Sequence, residues 1–177
     1  MHPGRALAGL VIALLLVGYS KQEADAAAFT KGNACALVSA VTLAKLSPNL
    51  SAGHESAVPH PANVSTCVWD DRAHHLPALM LTVAPADPGG VAKGLAQGFA
   101  NMGYRIVTVK GLGDEAAAAV QTADPKHGLA AAVAVLAVRV GKRQLGFSPM
   151  RLTITGPGTP AFQHLKRLAT ETIAHLK

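Results

Sequence analysis

Apolar and polar positions alternate along this chain in two rhythms, and the changes between them lay out the elements. Ala34, Leu37, Val38, Val41, Ala44 and Leu46 form a stripe near the helical period, so a helix is expected from Ala34 to Leu46. Asn33 offers an N-cap, and Ser47-Pro48 offers a stop because the residue before proline avoids the helical region. Residues 47–63 are rich in Ser, Pro, Gly, Asn and His and read as a surface loop, mobile unless tethered. The rest of the chain is organised around the next stretch, 64–70, which reads as the first strand. It carries Cys67 and the only tryptophan, Trp69. Residues two apart on a strand face one side, so the sulfur and the indole share a core.

Leu76–Ala84 reads as a second strand, with Leu79, Leu81 and Val83 on one face. Asp87 as cap and Pro88 at the first helical position open an expected helix. Its stripe is Val91, Leu95, Phe99 and Met102, with Gly103 as the end. Tyr104–Lys110 alternates as a strand, with Ile106, Thr108 and Lys110 opposite Val107 and Val109. Residues 115–137 are so rich in alanine that helix and strand stay open, since alanine favours helix while Val133, Val135 and Ala137 alternate. Gly141-Lys142 reads as a two-residue hairpin turn, with Gln144–Ser148 as the return strand. Arg151–Thr155 is a candidate for one more strand. Thr159-Pro160 opens a last helix whose stripe is Phe162, Leu165, Leu168, Ala169, Ile173 and Leu176. Tight turns and hairpins favour a single α+β domain, a largely antiparallel sheet with about three helices packed on it.

Ahead of these elements stands a segment of another kind. Met1–Arg5 carries one charge, Ala6–Gly18 is uninterrupted and apolar, and Lys21, Gln22, Glu23 and Asp25 close it. That is the layout of a secretory signal peptide over residues 1–28, with cleavage after Ala26 or Ala28, leaving an envelope domain at 29–177. The apolar run falls short of the ~20 residues that span a bilayer. Left uncleaved, it could hold the protein loosely at a membrane.

The chain of 177 residues carries a net charge of +6. Removing residues 1–28 takes away Arg5, Lys21, Glu23 and Asp25, so the balance is unchanged. The basic residues are scattered rather than clustered, and aromatic residues make up only 4%, too few for a base-stacking platform. Nucleic acid is therefore not an expected partner. The charge fits loose attraction to anionic envelope polymers.

Export changes the reading of the two cysteines. Cys35 and Cys67 could be buried free thiols, which behave as small hydrophobes. In an oxidising compartment the pair is instead expected to form a disulfide tying the first helix to the first strand.

Three stretches invite a chemical reading. Gly111-Leu112-Gly113-Asp114-Glu115-Ala116 has the spacing of a dinucleotide fingerprint after a strand. Asp114 and Glu115 would repel a pyrophosphate, and no acid lies about 20 positions on to hold a ribose. The expectation is a tight glycine turn whose acids are solvated or cap backbone amides, and no cofactor. Gly146-Phe147-Ser148-Pro149-Met150 starts like a nucleophile elbow but lacks the closing glycine and the step into a helix, so no catalytic residue is assigned. His54, His60, His74 and His75, with Asp70 and Asp71, are the nearest approach to a zinc or copper set. Their spacing matches no ligand signature, and solvated loop histidines are the simpler reading.

Cys35-Ala36-Leu37 opening a helix, Cys67-Val68-Trp69 on a strand, and Gly111–Ala116 after another strand resemble a group of uncharacterised bacterial envelope lipoproteins and extracellular sensor-like domains, over residues 31–177. The resemblance implies a small exported α+β domain with one disulfide and no catalytic residues to carry over. Such lipoproteins carry a cysteine directly after a Leu-x-Gly run, whereas Leu16-Val17-Gly18 is followed here by Tyr19. The functional expectation is an exported, non-catalytic envelope protein, periplasmic or extracellular, that binds a small ligand or envelope component. The alternative is a metal-binding or metal-assisted protein using the His54, His60, His74 and His75 region.

Overall fold

The computed structural model describes residues 33–99, 101–124, 126 and 130–176. The expected signal segment 1–28 and Tyr19 lie outside the described residues. The fold is α+β: one domain built on a seven-stranded, fully antiparallel sheet with three helices.

The strands are β1 His54–Glu55, β2 Ser65–Asp71, β3 Leu76–Pro85, β4 Tyr104–Thr108, β5 Glu115–Gln121, β6 Ala132–Val140 and β7 Arg143–Pro149. The helices are α1 Ala40–Leu46, α2 Val91–Gly98 and α3 Pro160–His175, preceded by a 3-10 turn at Ala34–Leu37. The strand order is β1-β2-β3-β7-β6-β5-β4. Two meanders, β1-β2-β3 and β4-β5-β6-β7, each pair neighbour to neighbour in sequence and meet along β3 and β7.

The two faces are covered differently. On one face α3 lays Phe162, Leu165, Leu168 and Ala169 into a core with Leu79, Leu81, Val83, Leu145 and Phe147, and Cys67 and Trp69 belong to the same cluster. The shared face expected of that sulfur and indole is therefore realised. On the other face α2 packs Val91, Leu95 and Phe99 over Ala117, Ala119, Val135 and Ala137. Phe99 meets Tyr104 edge-on, with ring centres 4.8 Å apart. In β4, Val107 turns to the α3 side and Ile106 to the α2 side, the alternation expected of it.

Several elements differ from expectation for physical reasons. The first helix is split: Val38 is extended (φ −118°, ψ 120°), and Ser39 starts a new helix by accepting from the Thr42 amide. Asn33 does cap, accepting from the Cys35 amide of the 3-10 turn. The break turns Val41 outward, leaving it 68% exposed rather than in the stripe. α2 starts three residues after Pro88, with Gly90 at its cap (φ 88°), while Asp87 instead accepts from the Gly89 amide in a preceding turn. Met102 falls beyond the helix end. The alanine-rich stretch resolves as β5 and β6, because flanking strands on both sides satisfy its backbone and its small side chains let α2 approach. Arg151–Thr155 is not a strand. β7 already has a neighbour on each side, so the chain leaving it finds no free edge there. The Ile154 carbonyl nevertheless accepts from the Val133 amide, and its side chain is buried.

The hairpin turn at Gly141-Lys142 stands as expected, with Val140 opposite Arg143. So does the Thr159 cap of α3, whose hydroxyl accepts from the Phe162 amide.

Candidate functional site

The chemistry-bearing side chains collect around β2, at the edge where residues 49–56 run beside it. This strap is a loop by composition, yet it is bonded along its length. The Leu50 backbone bridges to Asp71, Ser51 N–H donates to the Asp70 carbonyl, and Ser56 N–H donates to the Thr66 carbonyl. The Ser51 hydroxyl also accepts from the Asp70 amide. His54 and Glu55 within it form β1, opposite Val68 and Cys67. A two-residue strand gives no alternation to read, so only the described pairing reveals it.

The disulfide lies beneath the strap. Cys35 and Cys67 are bonded, with Cα atoms 5.0 Å apart and a sequence separation of 32. The bond joins the 3-10 turn to β2, and the Ala34 amide adds a hydrogen bond to the Ser65 hydroxyl. A disulfide points to an oxidising, exported compartment. Gly53 crosses directly above: a Cβ there would stand 2.6 Å from Trp69 Nε1 and 2.8 Å from Cys67 Sγ. Any residue but glycine must therefore displace the strap or the indole.

The histidines divide into separate settings. His54 Nε2 donates to Asp70 Oδ2 at 3.0 Å and Nδ1 donates to the Glu55 carbonyl at 3.1 Å. Both ring nitrogens need a proton to fill these roles, so the imidazolium is favoured. The Glu55 carbonyl, then Asp70, raise the His54 pKa above 6.5. His74 Nδ1 donates to Asp71 Oδ2 at 2.8 Å, across the β2–β3 turn. That bond and the Ala73 amide hold the Asp71 carboxyl below its usual 3.8. His60 Nδ1 stands 3.3 Å from the Pro61 carbonyl, and His75 is an exposed turn residue with φ 51°.

Successive strand residues point to opposite faces, so Asp70 and Asp71 draw their histidines apart rather than into one shell. Among the described residues no three His, Cys, Asp or Glu side chains come together to hold a metal ion.

The other two stretches are structural. In the glycine turn, Gly113 has φ 60°, and a Cβ there would stand 2.4 Å from the Arg139 carbonyl oxygen, so close approach of the β6 backbone requires glycine. Asp114 accepts from the Gly141 amide at 2.6 Å and ties this turn to the β6–β7 hairpin. Glu115 reaches across to α2, where it accepts from the Ala92 amide at 3.1 Å, and stands 3.5 Å from Arg139 Nε. Both acids are thus used to bind backbone amides. Ser148 lies inside β7 rather than on a strand-to-helix turn. Its hydroxyl is buried and has no hydrogen-bond partner, so no base is placed to activate it.

Sequence reasoning missed the strap at Gly53, the reach of Glu115 to α2, and the bond from the Thr42 hydroxyl to Glu171 that joins α1 to α3. Each joins elements distant in the chain. The one local signal was Gly53 between two small or polar residues and a histidine, which composition alone assigns to a loop.

Comparison with protein-family models, with curated proteins and with solved structures finds no match, so no family is identified. Among the described residues no helix is long and apolar enough to cross a membrane.

Proposed function

We propose that this chain is an exported, non-catalytic module of the cell envelope that binds a small ligand or another envelope component. The observation that carries the reading is the Cys35–Cys67 disulfide, which persists in the compartments where such proteins work. Around it the polar side chains serve the fold: His54 and Asp70 fasten the strap, Asp114 and Glu115 hold backbone amides, and Ser148 has no base beside it. The net charge of +6 supports an anionic partner such as an envelope polymer.

The test is expression of the full chain in a bacterial host, followed by fractionation and mass spectrometry. The expected product starts at residue 27 or 29, lies outside the cytoplasm and carries the disulfide. Full-length protein in the cytoplasm with both thiols free would overturn the export reading. The binding half is tested by co-sedimentation with isolated anionic envelope polymer at low and high salt. Salt-sensitive association supports it, because screening weakens surface charge attraction. If zinc or copper binds near one per chain by calorimetry instead, the metal reading through the His54, His60, His74 and His75 region replaces it.

A further inference from the structure

The two sulfurs of the disulfide stand in unlike surroundings. Cys67 is 0% exposed, on a strand with neighbours on both sides, and the Gly53 backbone covers its sulfur from the strap. Cys35 keeps part of its surface exposed in the 3-10 turn. Thiol–disulfide exchange requires in-line attack on one sulfur, opposite the one that leaves. Cys35, half-buried where the 3-10 turn meets the core, is the more open of the two.

We propose that Cys35–Cys67 is a one-sided redox site, opened by an envelope dithiol reductant that attacks Cys35 and expels Cys67. A thiolate of the reductant bonds to Cys35 Sγ, the Cys35–Cys67 bond breaks, and Cys67 leaves as a thiolate that takes a proton. The second thiol of the reductant then attacks its own partner sulfur and releases Cys35. The reductant is oxidised by two electrons to its disulfide, and this chain gains two electrons and two protons.

Opening the bond has a local consequence. The 3-10 turn then holds to the domain through the buried Ala34 side chain, the Ala34–Ser65 hydrogen bond, the His175 Nδ1 contact to the Leu37 carbonyl, and apolar contacts of Leu37 and Val38. Cys67 stays under the strap, which His54 and Asp70 fasten. The site therefore works as a latch on the 3-10 turn while the sheet remains closed. It does not depend on which ligand the module binds.

Sulfite distinguishes the sulfurs, because it leaves an S-sulfonate on the one attacked and a thiol on the other. Folded wild-type protein is treated with sulfite, the freed thiol is trapped with N-ethylmaleimide, and both cysteines are located by peptide mass spectrometry. The expected result is sulfonate on Cys35 and maleimide on Cys67, in about tenfold excess over the reverse, falling to near equality in denaturant. An even split in the folded protein, an excess of sulfonate on Cys67, or no reaction until denaturant is added would each overturn the proposal. Gly53→Ala, whose Cβ must displace the strap or the indole from above Cys67, is expected to raise the Cys67 share. An unchanged share would remove the strap from the proposal.

Discussion

The two ends of the sheet are held together by different means. At the β1–β2 end, side chains are few in the strap but ties are many: a disulfide, an ion pair and a row of backbone bonds fasten residues 49–56 and the 3-10 turn to β2. At the β4–β5–β6 end there is no covalent tie, and Ala117, Ala119 and Ala137 let α2 lie close enough to pack Val91, Leu95 and Phe99. The first end tolerates irregular backbone because its bonds are specified one by one. The second draws its stability from the distance between two surfaces, and keeps it across a register shift between Ala119 and Val120 in β5. A 177-residue chain with 4% aromatic content thus uses tethering where apolar volume is scarce and close approach where alanine permits it.

The strongest way to break this contrast is to cut the tethered end. Replacing both Cys35 and Cys67 by alanine is expected to cost about 3–4 kcal/mol in urea unfolding, from loop closure over a sequence separation of 32. A midpoint unchanged from wild type would show that the strap and turn hold β2 without the bond. At the close-packed end the corresponding change is Ala119→Leu, which adds volume where none is free. We expect a loss of about 1–3 kcal/mol by thermal unfolding, with α2 displaced rather than the sheet.

Glu115→Ala sharpens the comparison, because Glu115 is a polar tie of the close-packed end, linking β5 to the start of α2. The expected loss is about 1 kcal/mol, with faster hydrogen exchange at the Ala92 amide. Equal exchange in variant and wild type would reduce the carboxylate to a bystander.

How much of this was legible follows the same division. β2, β3, β7, α3 and their inward faces could be read because large apolar residues mark the period: Leu79, Leu81 and Val83 on β3, and Phe162 and Leu165 on α3. β5 could not, since alanine has no strong preference for either side of a sheet and favours helix when alone. The start of α2 was misplaced because Asp87-Pro88 is a sound local cap signal that loses to a distant one. Gly90 sits against the Glu115 carboxylate, and that contact depends on β5 being in place. The candidate site was half legible. The disulfide follows from two cysteines and an expected export signal, but the strap's bonding and the separation of His54 from His74 depend on strand register.

pH offers a finer probe of the tethered end. His54 has a raised folded pKa, so its contribution is fully present below the free imidazole value of 6.5 and is lost as pH rises through the folded value. Asp71 has a lowered one, so its contribution is present above 3.8 and is lost as pH falls through the folded value. The strap's His54 tie is thus kept below its upper limit, and the Asp71 bonds of the β2–β3 turn above their lower one. Proton NMR titration should find the His54 pKa lowered in Asp70→Asn; no movement would mean that the carboxylate does not bear on the ring. The smallest effect is expected from His74→Ala with His75→Ala, both exposed turn positions. Stability should change by no more than about 0.5 kcal/mol, and a larger drop in melting temperature would give the turn a structural weight it is not assigned here.

The order of strands bears on how the chain finds this shape. Each meander can form from near neighbours, but β3 meets β7 only after residues 76–85 come to lie beside 143–149. Pairings so far apart in sequence slow folding, because the entropy of closing the intervening chain is lost before the contacts form. The seam between the meanders is therefore expected to close last. Trp69, the only indole, lies wholly within the first meander, so its fluorescence should settle before the β3–β7 amides gain protection from exchange. Simultaneous phases would mean that the halves condense together.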